Sequence, residues 1–200
     1  MEPVRVSKES GTATAILDAA YDCLLADGYA GLSTRKVAAL AGVPLSQVHY
    51  HYGSKGGLLL AVLESANRRR LGRQTEMYAR DEPLWRRYEQ ACDFLDDDIE
   101  SGFVRVLQEL IAAGWSNPEI AGAARSLLAG WYDLLTEVAT EASERFGGLG
   151  PFTPVEVATL IGNAFIGSES LLLLGFDRHA LPIRTALRRV GVIVREVEER

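Results

Sequence analysis

An all-α fold of about nine helices is what this 200-residue sequence predicts, and three observations predict it. Ala, Leu, Glu and Arg dominate, while β-type runs are nearly absent. Apolar residues recur at helical spacing. Gly, Pro and side chains able to cap helices punctuate the chain at intervals. With 48% hydrophobic residues the chain can bury a core.

The first helix is expected from about Thr12 to Ala26, with Ile16, Leu17, Ala20, Leu24 and Leu25 on one face, ended by Asp27-Gly28. Ser33 caps a second helix through its hydroxyl, with Val37, Leu40 and Ala41 as the apolar face. Gly42 supplies the permissive turn, and Pro44 opens a short third helix to Tyr50 carrying Val48 inward. Ser54 caps a long fourth helix towards Tyr78, with Gly56-Gly57 loosening its start. Pro83 opens a fifth helix ending near Ser101-Gly102, and Phe103 to Trp115 forms the sixth. Asn117-Pro118 caps and starts a seventh to about Phe146, before a Gly-rich loop. Thr153-Pro154 begins the eighth, to about Leu174, and the ninth runs from about Leu181 to Glu198.

Two short helices joined by a tight turn over Thr34–Tyr52 form a helix-turn-helix pattern, whose second helix enters the DNA major groove. Ile16-Leu17-Asp18-Ala19-Ala20, Asp27-Gly28-Tyr29, Ser33-Thr34-Arg35-Lys36-Val37-Ala38, Ala41-Gly42-Val43 and Tyr50-His51-Tyr52-Gly53-Ser54-Lys55 together resemble the TetR (tetracycline-repressor) family of bacterial regulators. The resemblance covers roughly residues 12–63 without a gap. It implies base reading by Arg35, Leu45, Ser46, Gln47 and His49, with Pro44 at the helix start counted among the contacts. Arg35 has a fork suited to guanine, Gln47 can pair with adenine in two bonds, and Leu45 can touch only a thymine methyl. Thr34, Tyr50, His51 and Lys55 would hold phosphates. Tyr50 is expected to face DNA and Tyr52 the core. Pro44, His49, Gly53 and Gly56-Gly57 depart from the family's usual residues, so no operator sequence carries over from a relative. His49 and His51, two apart on a helix, do not share a face, which argues against a metal site.

Charge is unevenly divided. Residues 1–80 hold ten Lys/Arg against seven Asp/Glu, and residues 81–200 hold eleven against twenty. The basic part lies with the helix-turn-helix, where phosphates would be met. Asp96-Asp97-Asp98 is read as a solvated helix end. Cys23 and Cys92 make no metal spacing or disulfide framework. The amino-terminus lacks a secretory pattern, and Val155–Phe176 is too polar for a comfortable membrane span, so a buried helix and a cytoplasmic protein without membrane contact are expected.

The domains expected are a DNA-binding domain over 1–55, the fourth helix over 55–80 as connector, and a ligand-binding and dimerisation domain over 81–200. All three tryptophans follow residue 80. By likeness to the family's ligand chamber, Trp85, Tyr88, Cys92, Leu107, Ile111, Trp115, Trp131 and Asn163 are the candidate ligand residues, although an ordinary aromatic core explains any one of them. Leu160, Phe165, Leu171, Leu172, Val190, Val194 and Val197 on the last two helices are candidates for a homodimer interface, with Gly162 and Gly167 allowing close approach. No catalytic constellation and no cofactor motif is present. The expected function is therefore a non-enzymatic repressor that a small molecule releases from a palindromic double-stranded operator. The alternatives are a ligand-independent DNA-binding protein of the same fold and, more remotely, a helical enzyme or interaction protein.

Overall fold

The structure, a computed structural model, describes residues 4–176 and 179–200. Nine α-helices run through the described residues: α1 (Val4–Gly31), α2 (Thr34–Leu40), α3 (Leu45–Tyr52), α4 (Lys55–Tyr78), α5 (Leu84–Glu100), α6 (Phe103–Gly114), α7 (Pro118–Phe146), α8 (Pro154–Leu173) and α9 (Ile183–Glu198). The starts of α2, α4, α7 and α8 are set by nearby side chains that accept otherwise unpaired amides. Ser33 Oγ accepts from Lys36 N at 3.2 Å and Ser54 Oγ from Gly57 N at 3.0 Å. Asn117 Oδ1 takes Glu119 N at 3.0 Å. Thr153 and Glu156 satisfy each other's amides in a capping box at α8.

The chain forms two compact units, and the division falls inside α4, α6 and α7. One unit runs to Arg69 and takes in Arg105–Leu127; the other comprises Arg70–Val104 and Leu128–Arg200.

In the first unit, Ile16, Ala20 and Leu24 of α1 pack with Val37, Val48, Leu58, Leu59 and Val62 and with Val106, Leu110 and Ile120. Leu40 departs from the expected apolar face and is 58% exposed. At about 100° per residue, Val37, Ala38 and Ala41 lie on one side of α2 and Leu40 falls off the other. Gly28 breaks α1 with φ 69°, a conformation that L side chains resist. Two residues of α6 stitch the break. Arg105 Nη2 donates to Leu25 O at 2.6 Å, and Tyr29 N donates to Glu109 Oε2 at 2.8 Å. Arg105 and Glu109 are themselves paired at 2.6 Å.

In the second unit, α5 and α9 are joined end to end by polar contacts. Glu198 accepts from Leu84 N at 3.1 Å and from Trp85 N at 3.3 Å, capping α5 from another helix. Tyr88 Oη donates to Leu187 O at 3.0 Å, and burial pushes the Tyr88 hydroxyl well above its usual range. Arg188 pairs with Asp93 and Asp96 at 2.7 and 3.0 Å. The reading of residues 96–98 as a solvated end is corrected. Asp98 is buried against Arg70 and Arg73, and Asp96 serves α9, because consecutive helical residues point in different directions. The buried-helix reading of α8 holds for one stripe only: Ala158, Gly162, Phe165 and Glu169 are buried, while Val155, Leu160 and Leu173 are exposed. α8 is long and apolar enough to cross a membrane by length and composition, with 22% of that stretch buried.

Candidate nucleic-acid interface

The site is built on α2, its turn and α3. Gly42, at φ 65°, turns the chain after α2, and Pro44 holds an extended conformation at the start of α3. Val48, 1% exposed, anchors α3 in the core, and this fixes which residues face out. Ser46, His49 and Tyr50 are exposed, Tyr50 at 73%. Gln47 is half-buried on the flank, and Leu45 packs partly against the core. On α2, Arg35 is exposed and Thr34 half-buried beside the Ser33 cap.

Three of the proposed contact residues have intramolecular commitments. His49 Nδ1 lies 2.9 Å from Gly53 O, to which it donates, so Nε2 is the ring nitrogen left for an external partner. His51 lies between the Tyr50 and Tyr52 rings, and its Nε2 is buried without a hydrogen bond. Lys55 Nζ donates to Tyr29 O at 3.2 Å and stands over the Tyr29 ring at 4.9 Å. An ammonium has three donors, so the Tyr29 carbonyl leaves others for a phosphate. Tyr52 is half-buried and donates to Ala13 O at 2.8 Å, tying α3 to α1, and burial raises its hydroxyl pKa. Lys36, which the sequence reading passed over, is exposed beside Arg35 and pairs with Asp27, whose carboxylate raises the ammonium pKa. A basic residue next to Arg35 in a helix's first turn was the available signal.

The candidate ligand residues divide between the units. Leu107, Ile111 and Trp115 belong to the first, where Trp115 is 84% exposed. Trp85, Tyr88, Cys92, Trp131 and Asn163 belong to the second. There Tyr88 and Trp131 meet Phe165 edge-on at 6.1 and 6.3 Å. Cys92 is buried beside them, which pushes its thiol up to about 11. Trp85 is flanked by Arg86 and Arg195. Asn163 is exposed and accepts from Tyr132 Oη at 2.7 Å.

Of the candidate dimer residues, Leu160 and Val197 are exposed, at 55% and 38%, and Val194 is half-buried. Phe165 is buried in its own chain's core, and Leu171, Leu172 and Val190 pack partly against that core. Gly162 faces the Tyr132 ring of its own chain, so its small size serves internal packing, whereas Gly167 is open. Ile193, part of the same apolar excess on α9, is exposed at 60%, and its neighbour Val192 at 49%.

Comparison with known proteins bears on the fold. Residues 16–62 match the family model for bacterial regulatory proteins, tetR family. No curated protein matches the chain. A TetR transcription regulator from Haloarcula marismortui superposes with a TM-score of 0.74 at 19% identity, covering 92% of this chain and 96% of that one. The transcriptional regulator FadR from Bacillus subtilis, in complex with stearoyl-CoA, gives 0.74 at 15% identity over 90% of this chain and 96% of its own. NemR from E. coli in its reduced form gives 0.74 at 17% identity over 90% and 95%.

Proposed function

We propose that this chain, which is a regulator of the tetR family by its residues 16–62 and its all-helical fold, is a cytoplasmic repressor released from a palindromic operator by a small molecule. The observation that carries the reading is the outward face of α3, where Ser46, His49 and Tyr50 are exposed around the buried Val48 anchor. Arg35, Gln47 and His49 read base edges, with Pro44, Leu45 and Ser46 at the start of the same helix against the groove. Thr34, Tyr50, His51 and Lys55 hold phosphates, which fix register and carry the salt dependence. The DNA-binding domain is 1–55, α4 is the connector, and 81–200 binds ligand and dimerises. A symmetric dimer through α8 and α9 sets the two α3 helices into major grooves about 34–36 Å apart, or a multiple of that.

Release runs through the helices that begin or end at the head. α4 is continuous from Lys55 to Tyr78, and Arg105 and Glu109 of α6 grip the broken end of α1. A ligand that prefers the non-binding arrangement by about 1–3 kcal/mol lowers operator affinity about 5–150-fold. That a solved structure of the same fold, FadR, holds stearoyl-CoA supports an effector for this chain. A second reading, DNA binding without an effector, is favoured by the close packing of Tyr88, Trp131 and Phe165 where the chamber residues gather. Operator binding measured with each metabolite that shifts tryptophan fluorescence separates the two: release supports the first reading, and saturation without release supports the second.

Lys55→Ala is expected to weaken binding to every duplex and to flatten the dependence of affinity on salt, read by fluorescence anisotropy at several salt concentrations. Gln47→Ala is expected to cost about 1–3 kcal/mol on the preferred duplex and to relax preference at one step. An unchanged salt slope in Lys55→Ala contradicts the docking arrangement.

A further inference from the structure

α1 loses its helical path at Gly28, where φ is 69° and ψ −175°. In an unbroken helix Tyr29 N would donate to Leu25 O, four residues back. Across the break, two side chains of α6 serve these groups: Glu109 Oε2 accepts from Tyr29 N at 2.8 Å, and Arg105 Nη2 donates to Leu25 O at 2.6 Å. Arg105 and Glu109 are paired with each other at 2.6 Å, so one ion pair stands in for a rung of the helix. The fit leaves no room for a side chain at residue 28, since a Cβ on Gly28 would lie 2.5 Å from Glu109 Oε2. Tyr29, fixed in this way, holds Lys55 at the start of α4 by two groups. Its carbonyl accepts from Leu32 N at 3.3 Å and from Lys55 Nζ at 3.2 Å, and its ring centre lies 4.9 Å from the same ammonium. All of these residues belong to the unit that carries the helix-turn-helix.

We infer that Glu109 is a positioning residue for DNA binding, which acts through Tyr29 to hold the Lys55 ammonium where a backbone phosphate meets it; this role rests on the reading of Lys55 as a phosphate contact. Lysine carries its charge on a flexible four-carbon stem that loses much freedom when it is ordered. Here the carbonyl and the ring face hold the ammonium before DNA arrives, which lowers the ordering cost of binding. One donor goes to Tyr29 O, and two remain for phosphate oxygens. Removing the Glu109 carboxylate frees Tyr29 N, loosens the residue that follows the break, and lets Lys55 swing. Charge alone predicts the opposite effect, since losing a carboxylate strengthens attraction to phosphates.

The test is fluorescence anisotropy of the full chain with a labelled duplex of arbitrary sequence at low salt, where phosphate contacts supply the affinity. Glu109→Ala is expected to weaken binding about three- to tenfold, and by no more than Lys55→Ala does. In the Lys55→Ala background the same change should have no further effect. Glu109→Gln sheds the same charge, keeps an acceptor for Tyr29 N, and should recover most of the loss. Tyr29→Leu removes the ring, keeps an apolar side chain at this half-buried position, and should weaken binding only where Lys55 is present. It carries the test if Glu109→Ala does not fold. Losses of equal size with and without Lys55, or no recovery in Glu109→Gln, overturn the inference. So does Glu109→Ala that binds like the parent while Lys55→Ala binds weakly, a result that leaves Lys55 as a phosphate contact. Lys55→Ala that binds like the parent overturns both.

Discussion

Arg87→Met is expected to destabilise the folded chain by about 3 kcal/mol, the lower end of what breaking a buried ion pair costs, because the partner Glu141 keeps some contact with water. Arg87 is 2% exposed. Its guanidinium bonds the Tyr78 carbonyl at the end of α4 and takes both oxygens of Glu141 on α7, at 3.1 and 2.6 Å. Methionine fills the volume, leaves the buried Tyr78 carbonyl without this donor, and leaves Glu141 with Arg145 alone, at 2.9 Å. The pair also predicts a pH signature. Arg87 holds the Glu141 carboxyl below its ordinary value of 4.5, so its stabilisation is present above that pH and is lost as pH falls through the depressed folded value. Urea denaturation of both proteins between neutral and acid pH checks this: the gap should narrow below about 4.5. A gap under 1 kcal/mol at neutral pH would show that the pair does not hold these helices together.

Ile193→Asp is expected to turn the proposed dimer into a monomer at micromolar concentration. Ile193 is 60% exposed in the single chain, on a surface that also carries exposed Val192 and Val197 on α9. Burying such a side chain gains about 1.5–3 kcal/mol, and a two-fold interface counts every residue twice. With 60% of Ile193 left to bury, the substitution weakens the dimer by about 2–4 kcal/mol, roughly 30–10³-fold, before the cost of two apposed carboxylates. Operator affinity should fall with it, since two half-sites then bind as independent events. Sedimentation velocity reads the first effect and anisotropy the second. A variant that stays dimeric places the interface elsewhere.

These two variants mark what could and could not be seen in the sequence. Helix starts were legible wherever one residue type does the work locally: Ser33, Asn117 and Thr153 accept the amides that their position after a turn makes available. The inward face of α1 was legible from its spacing. Long-range pairing was not, because nothing in local periodicity says which distant helix a charge will meet. Arg87 with Glu141, Asp98 with Arg70 and Arg73, and Arg105–Glu109 around the break at Gly28 are all of this kind. Composition misled at two points. Trp115 is exposed on its turn despite its size, and the small residue Gly162 packs against its own Tyr132. At the candidate interface, residue types suggested contacts that the structure qualifies: His49 is tied to Gly53, Lys55 to Tyr29, and Leu45 is drawn partly into the core.

The most direct test of the central claim, that α3 of this chain reads a symmetric DNA site, is selection of bound sequences from a pool of random duplexes by the full-length protein. The enriched sequences should contain two inverted half-sites whose centres are about one helical turn, 34–36 Å, or a multiple apart. Gln47→Ala should flatten one position in each half-site and leave the rest. A pool that shows no enrichment at low salt, or an enriched motif indifferent to Gln47, Arg35 and His49 alike, would contradict the account.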